Sequence, residues 1–177
     1  MGLRKAEYSD MSAILQIIED AKEKLRRNKV DQWQDGYPNE TVIRGDIDRG
    51  EAYVWDISGT TISDLSLDGV IGYIMVSYKQ DPDYAVITDG EWLTDGKHYA
   101  VFHRLAIASA FRGEGYAGQM LRRVLDLAAE AGYDSVRADT HGDNRSMQRT
   151  LENSGFIRCG NVMIRGDQAR IAYENKF

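Results

Sequence analysis

Arg112-Gly113-Glu114-Gly115-Tyr116-Ala117-Gly118 sets a fixed cation beside two glycines and then opens a helical pattern. The first amides of a helix have no intrahelical partner, and the helix dipole adds partial positive charge at that end. A glycine turn leading into a helix therefore suits a phosphate. Glycine at 113 and 115 also lets backbone approach such a ligand without an intervening Cβ. The stretch is not a Walker loop, because no Gly-Lys-Ser/Thr follows. Nor is it a dinucleotide fingerprint, because the strands before it do not alternate with helices. By itself it equally describes a turn that caps a core helix. Nearby stands His103, and an unperturbed imidazole, with a pKa near ~6.5, suits general-base work. Its parity with Val101, Leu105 and Ile107 places the four on one side of a strand. The other reading is a structural histidine bonded between strands. His98, at the start of that strand, is expected to be exposed, and His141 to shape a helix start. The three histidines and the single Cys159 show no metal-ligand spacing, so no metal is expected.

The elements that must position these groups follow from periodicity. A short strand, GLRKA, precedes a helix capped by Ser9 or Asp10 with Ile14, Ile18, Ala21 and Leu25 on one face. A polar and aromatic loop, RRNKVDQWQDGYPN, follows. Asn39 then caps a second helix carrying Val42, Ile43 and Ile47, which Gly50 ends. AYVWDI and GVIGYIMVSY read as strands around a turn from Gly59 to Gly69. KQDPDYAVITDGEWLTDGK is a long irregular segment of the kind that carries function or mobility. HYAVFHRLAI is a strand, and Met120, Val124, Leu127 and Ala131 mark one face of the helix behind the glycine turn, with Ala117, Leu121 and Ala128 beside it. YDSVRADT, a short helix closed by Gly155, and two last strands complete the chain. The order is β-α-α-β-β-β-α-β-α-β-β. That is an α/β (α+β) chain with a mixed, mostly antiparallel sheet of about seven strands flanked by about four helices.

Length and composition fit one domain over residues 1–177. The chain is 42% hydrophobic and 28% charged, as in soluble globular proteins. No apolar run approaches the ~20 residues needed to span a bilayer, and the start lacks the apolar core of a signal peptide. With one cysteine and no export signal, a cytoplasmic location is expected and a membrane partner is not. The net charge of −6 argues against a nucleic-acid partner and weakly favours a cationic small molecule.

Two motifs together resemble the acyl-CoA motifs of the GNAT family of N-acetyltransferases. The first is Leu105-Ala106-Ile107, four residues, then Arg112-x-x-Gly115-x-Ala117. The second begins at Asn144 and reaches Gly155-Phe156 eleven and twelve residues on. The element order matches the family fold over nearly the whole chain. The resemblance implies acetyl-CoA as co-substrate. Its pantetheine arm would pair with the backbone of Leu105, Ala106 and Ile107, and its pyrophosphate would rest on the amides of Gly113, Glu114, Gly115, Tyr116, Ala117 and Gly118. Arg112 would supply charge, and Asn144 a bond to the cofactor arm, with helix capping as its other role.

The implied reaction is N-acetylation of a primary amine, on a small molecule or a peptide, by direct attack through a ternary complex. An amine with a pKa near ~10.4 must first lose a proton. His103 is the leading candidate base, since some members that bind aromatic amines carry a histidine at this spacing. Asp139 is the second, at the position of a glutamate base in members that acetylate ribosomal proteins. Its other reading is a carboxylate bonded to Arg137 or Arg104. The family pattern makes the Ile107 N–H the oxyanion donor. The sequence departs from the family seven residues after Asn144, where Leu151 replaces the usual acid tyrosine, which leaves Tyr116, Tyr173 or water. Substrate specificity falls to Trp33 and Tyr37 of the first helix–helix loop, as aromatics suited to a cation or a ring, or else as a hydrophobic plug. The long segment before the fourth strand adds Tyr84, Trp92, Asp89 and Glu91. A non-catalytic acyl-CoA-binding module on the same fold, and an acidic interaction domain without cofactor, are the competing readings. The oligomeric state, with a homodimer among the options, is not fixed.

Overall fold

The computed structural model describes residues 1–58 and 69–177. Seven strands and four α-helices follow one another as β1 (Gly2–Lys5), α1 (Met11–Arg27), α2 (Glu40–Asp48), β2 (Ala52–Asp56), β3 (Val70–Ser77), β4 (Tyr99–Ile107), α3 (Tyr116–Glu130), β5 (Ser135–Thr140), α4 (Arg145–Asn153), β6 (Ile157–Ile164) and β7 (Gln168–Lys176). The strands form one mixed sheet in the order β1-β2-β3-β4-β5-β7-β6. β4 and β5 run parallel, and the β1–β2, β2–β3, β5–β7 and β6–β7 pairs are antiparallel. The expected turn between β2 and β3 lies largely outside the described residues.

The chain divides into two compact units, and β3, β4 and α3 each run through both. The first comprises Met1–Met75 and Arg104–Met120. Here β1, β2 and β3 form a meander with Leu3 opposite Trp55 and Tyr53 opposite Ile74. α1 buries Ile14, Ile17 and Ile18, and Ala21 and Leu25 extend the same face half-buried. α2 starts where the periodicity puts it, with the Asn39 side chain accepting from the Val42 amide at 3.1 Å. Its inward face differs from the expected apolar one: Ile43 is fully buried, and so is Asp46.

The second unit comprises Val76–His103 and Leu121–Phe177. β5, β7 and β6 form an antiparallel set, and Tyr99–Val101 of β4 pair in parallel with Ser135–Arg137 of β5. The β4–β5 ladder ends at Val101. Tyr84, Tyr99, Val101, Val162 and Ala172 make a core cluster, with Ile87, Trp92 and Ile164 packed against it. The long segment between β3 and β4 is thus a covering layer. It contains a 3-10 turn at Pro82–Tyr84 and a bridge from Thr88 to Asn161 of β6. The buried face of α3 runs through Met120, Leu121, Val124 and Ala128, while Ala131, expected on that stripe, is exposed.

Candidate active site

In the first unit, β4 ends at Ile107, the chain makes a 3-10 turn over Ser109–Phe111, and α3 begins at Tyr116. The first helical bond runs from the Gln119 amide to the Gly115 carbonyl at 3.1 Å. Among the described residues, none of the amides from Gly113 to Gly118 has a hydrogen-bond partner. Gly113 and Gly115 hold φ of 86° and 83°, a region glycine enters without the cost a side chain brings. A Cβ on either would meet nothing within 4 Å, so the space next to both positions is open.

The Arg112 side chain turns back to the end of β4. Its Nε donates to the Ile107 carbonyl at 2.9 Å, which braces the end of β4. Its Nη2 is buried and has no partner among the described residues. A buried donor left unpaired costs roughly 1–3 kcal/mol. Burial lowers the Arg112 pKa, and Lys24 on α1 is lowered by burial and then by repulsion from Arg112. A row of free amides, an unpaired guanidinium edge and a second cation fit the diphosphate of a coenzyme A.

In the second unit, His103 stands between two carboxylates. Its Nε2 lies 2.8 Å from Asp81 Oδ2, and its Nδ1 lies 3.7 Å from Asp139 Oδ1. An ionised carboxylate only accepts hydrogen bonds, so a neutral His103 donates through Nε2 and carries its lone pair on Nδ1. Asp139 accepts from the Tyr84 hydroxyl at 2.7 Å and has Arg170 Nε at 3.9 Å. Arg137 and Arg104, its expected partners, are bonded elsewhere. Burial pushes the Asp139 carboxyl above its ordinary range, against the lowering influence of His103, and burial together with Asp139 pushes the Tyr84 phenol well up.

His103 shares a neighbour with Val101, as the expected parity requires. Tyr84 touches both His103, with ring centroids 5.9 Å apart, and the cluster containing Val101. Arg104, however, takes φ of 58°, and a left-handed residue inside a strand interrupts the two-residue alternation. Parity therefore does not carry from His103 on to Leu105 and Ile107.

Asn144 caps α4, its side chain accepting from the Met147 amide at 3.2 Å. Leu151 is fully buried. Tyr116 packs between the Trp55 and Phe111 rings, at 6.5 and 6.0 Å. The Tyr173 hydroxyl donates to Glu152, and burial followed by that bond pushes its pKa up to about 12. His141 accepts the Asp143 amide in the loop before α4, and His98 is exposed. In the first unit Trp33 and Tyr37 are half-buried in the α1–α2 loop. The Tyr37 hydroxyl accepts from Arg104 Nη1, and Arg104 grips Asp46 through Nε at 3.0 Å and Nη2 at 2.8 Å. Tyr73 also donates to Asp46, at 2.6 Å.

Sequence reasoning missed Asp81 and Asp46. Asp81 sits in a turn sequence, Asp-Pro-Asp, whose capping role masks it, since its Oδ1 accepts the Asp83 amide. Asp46 interrupts an apolar helix face, and that interruption was the available signal. Among the described residues, no group of three or more His, Cys, Asp and Glu side chains is placed to hold a metal ion, and no helix is long and apolar enough to cross a membrane.

Residues 15–156 match the family model described as the acetyltransferase (GNAT) family. The chain belongs to that family, and its class is acyltransferase. A GNAT-family acetyltransferase from Streptococcus agalactiae 2603 superposes with a TM-score of 0.85 at 32% identity, covering 99% of this chain and 94% of that one. Two more distant structures share the fold. One is a GNAT-family acetyltransferase from Listeria monocytogenes 4b F2365, with a TM-score of 0.71, 18% identity and coverage of 99% and 94%. The other is a chain of the NatC complex bound to Gag peptide and CoA, with a TM-score of 0.66, 16% identity and coverage of 100% and 99%. Comparison with curated proteins finds no match.

Proposed function

We propose that this chain transfers the acetyl group of acetyl-CoA to a primary amine of a small molecule or peptide, by direct attack within a ternary complex. The observation that carries the reading is the run of unpartnered amides from Gly113 to Gly118, with the unpaired Nη2 of Arg112 next in the chain, in a chain of this family. Those groups would hold the diphosphate. The backbone of Leu105, Ala106 and Ile107 would take the pantetheine arm as an edge strand takes a peptide, with Asn144 adding a bond besides its cap. Bound acetyl-CoA supplies an acetyl thioester, whose thiolate leaves tolerably at a thiol pKa of roughly 8.5. The Ile107 N–H is the donor for the developing oxyanion.

His103 is the proposed base. Asp81 holds Nε2 as the donor, which leaves Nδ1 to take the amine proton, directly or through water. The imidazolium so formed would have Asp81 on one nitrogen and Asp139 beside the other. Trp33 and Tyr37 are the proposed acceptor-binding residues. With Leu151 in the acid position, the thiolate departs to solvent.

Thiol release from acetyl-CoA, measured against a panel of primary amines, tests the reading. Turnover is expected on at least one amine. His103→Ala is expected to lower kcat at least tenfold, with CoA affinity unchanged. CoA binding without turnover on any amine would establish a binding module instead.

A further inference from the structure

The second unit contains a cavity of about 380 Å³ that shares Asp81, and no other residue, with the proposed transfer site. The residues that line it include Tyr84, Trp92, Tyr99, Asp81, Asp95 and Arg137. Arg137 is the unusual member. Its side chain is only 3% exposed, and its guanidinium carbon lies 4.2 Å from the Trp92 ring centre and 4.1 Å from that of Tyr99. Nε donates to Glu174 at 3.0 Å, and Nη2 donates to the Thr94 carbonyl and hydroxyl at 3.1 and 3.2 Å. Nη1 has no partner among the described residues. Gly96, which also lines the cavity, keeps that edge open, because a Cβ there would stand 3.4 Å from Nη1.

We propose that this cavity binds a small zwitterion of the free amino-acid type. The open Nη1 edge donates to the ligand's carboxylate, in the planar manner for which guanidinium is suited. Glu174 already compensates the Arg137 charge, so a carboxylate alone is poorly rewarded amid Asp81, Asp95 and Glu174. Asp95 and Asp81 supply what balances it, a place for an ammonium group. Asp95 is largely exposed at 61% and shares its carboxylate with Lys97 at 3.1 Å, which leaves it free to exchange partners. The half-buried Trp92 ring gives the apolar part of the ligand a surface. A cavity of this size is at the small end for ligand sites, which limits the occupant to a single amino acid. The occupant would also lie against Asp81, the partner of His103 Nε2.

Isothermal titration of the whole chain, without acetyl-CoA, tests the assignment independently of the transfer reaction. The probes are glycine, L-leucine, L-phenylalanine, phenethylamine and 3-phenylpropionate. At least one amino acid is expected to saturate, and the two single-charge analogues are expected to bind at least tenfold more weakly than L-phenylalanine or not at all. Gly96→Asn keeps a residue that tolerates the φ of 77° but lays a side chain over Nη1. It is expected to weaken amino-acid binding at least tenfold and to leave CoA binding unchanged. Asp95→Asn, at an exposed position, is expected to reduce the preference for amino acid over carboxylate. No saturable binding by any of the three amino acids, undiminished binding in Gly96→Asn, or equal binding of phenethylamine overturns the proposal.

Discussion

Replacing Arg112 by Met separates a brace from an anion ligand, because the two roles predict opposite signs. In the free protein Arg112 makes one clear bond, from Nε to the Ile107 carbonyl, whose loss costs about 0.5–1.5 kcal/mol. The same guanidinium buries Nη2 without a partner, a penalty of roughly 1–3 kcal/mol that Met removes. The apolar stem is kept. The free protein should therefore lie between about 0.5 kcal/mol less stable and about 2.5 kcal/mol more stable than wild type. With CoA bound, the wild-type side chain gains a charge-assisted bond worth ~1.5–3 kcal/mol, which Met cannot make. That converts to a loss of roughly 10- to 150-fold in affinity. Urea unfolding of the free variant and titration calorimetry with CoA give the two numbers. If the free protein loses more than 2 kcal/mol while CoA affinity is unchanged, Arg112 is a strand brace and the anion site is misassigned.

Three further outcomes follow from particular contacts. Glu174 is fully buried and accepts from Ser135, Thr94 and Arg137; burial raises its pKa, but these bonds outweigh it and hold the carboxyl below its ordinary 4.5. Its contribution is therefore present above pH 4.5 and disappears as pH falls through the folded value. Glu174→Ala should cost ~3–5 kcal/mol at pH 7 by stranding Arg137, with a smaller difference in acid, as chemical denaturation at several pH values would reveal. Gly115→Asn should cost the free fold less than about 1 kcal/mol, since Asn tolerates a left-handed backbone, yet lower CoA affinity by filling the open space next to it; calorimetry would show an unchanged Kd if that space is unused. Tyr37→Phe leaves both Arg104 bonds to Asp46 in place, so thermal unfolding should move by ~1 kcal/mol or less, while KM for the amine rises more than kcat falls if this loop holds the acceptor.

What the chain determines by itself is local. Asn39 before Val42, Asn144 before Met147 and the glycine turn ahead of Tyr116 act within a few residues, through caps and unpaired amides whose geometry depends on little else. Element order and the mixed sheet follow from apolar periodicity, which is legible for the same reason. Tertiary structure alone decides the charge pairs. Asp81 meets His103, Arg104 meets Asp46 and Arg137 meets Glu174 across long stretches of chain, and nothing in their spacing selects those partners over others of the same charge. Burial makes the selection: a charge removed from water must find its partner within hydrogen-bond distance, so packing of distant segments, not sequence proximity, settles which carboxylate faces which base.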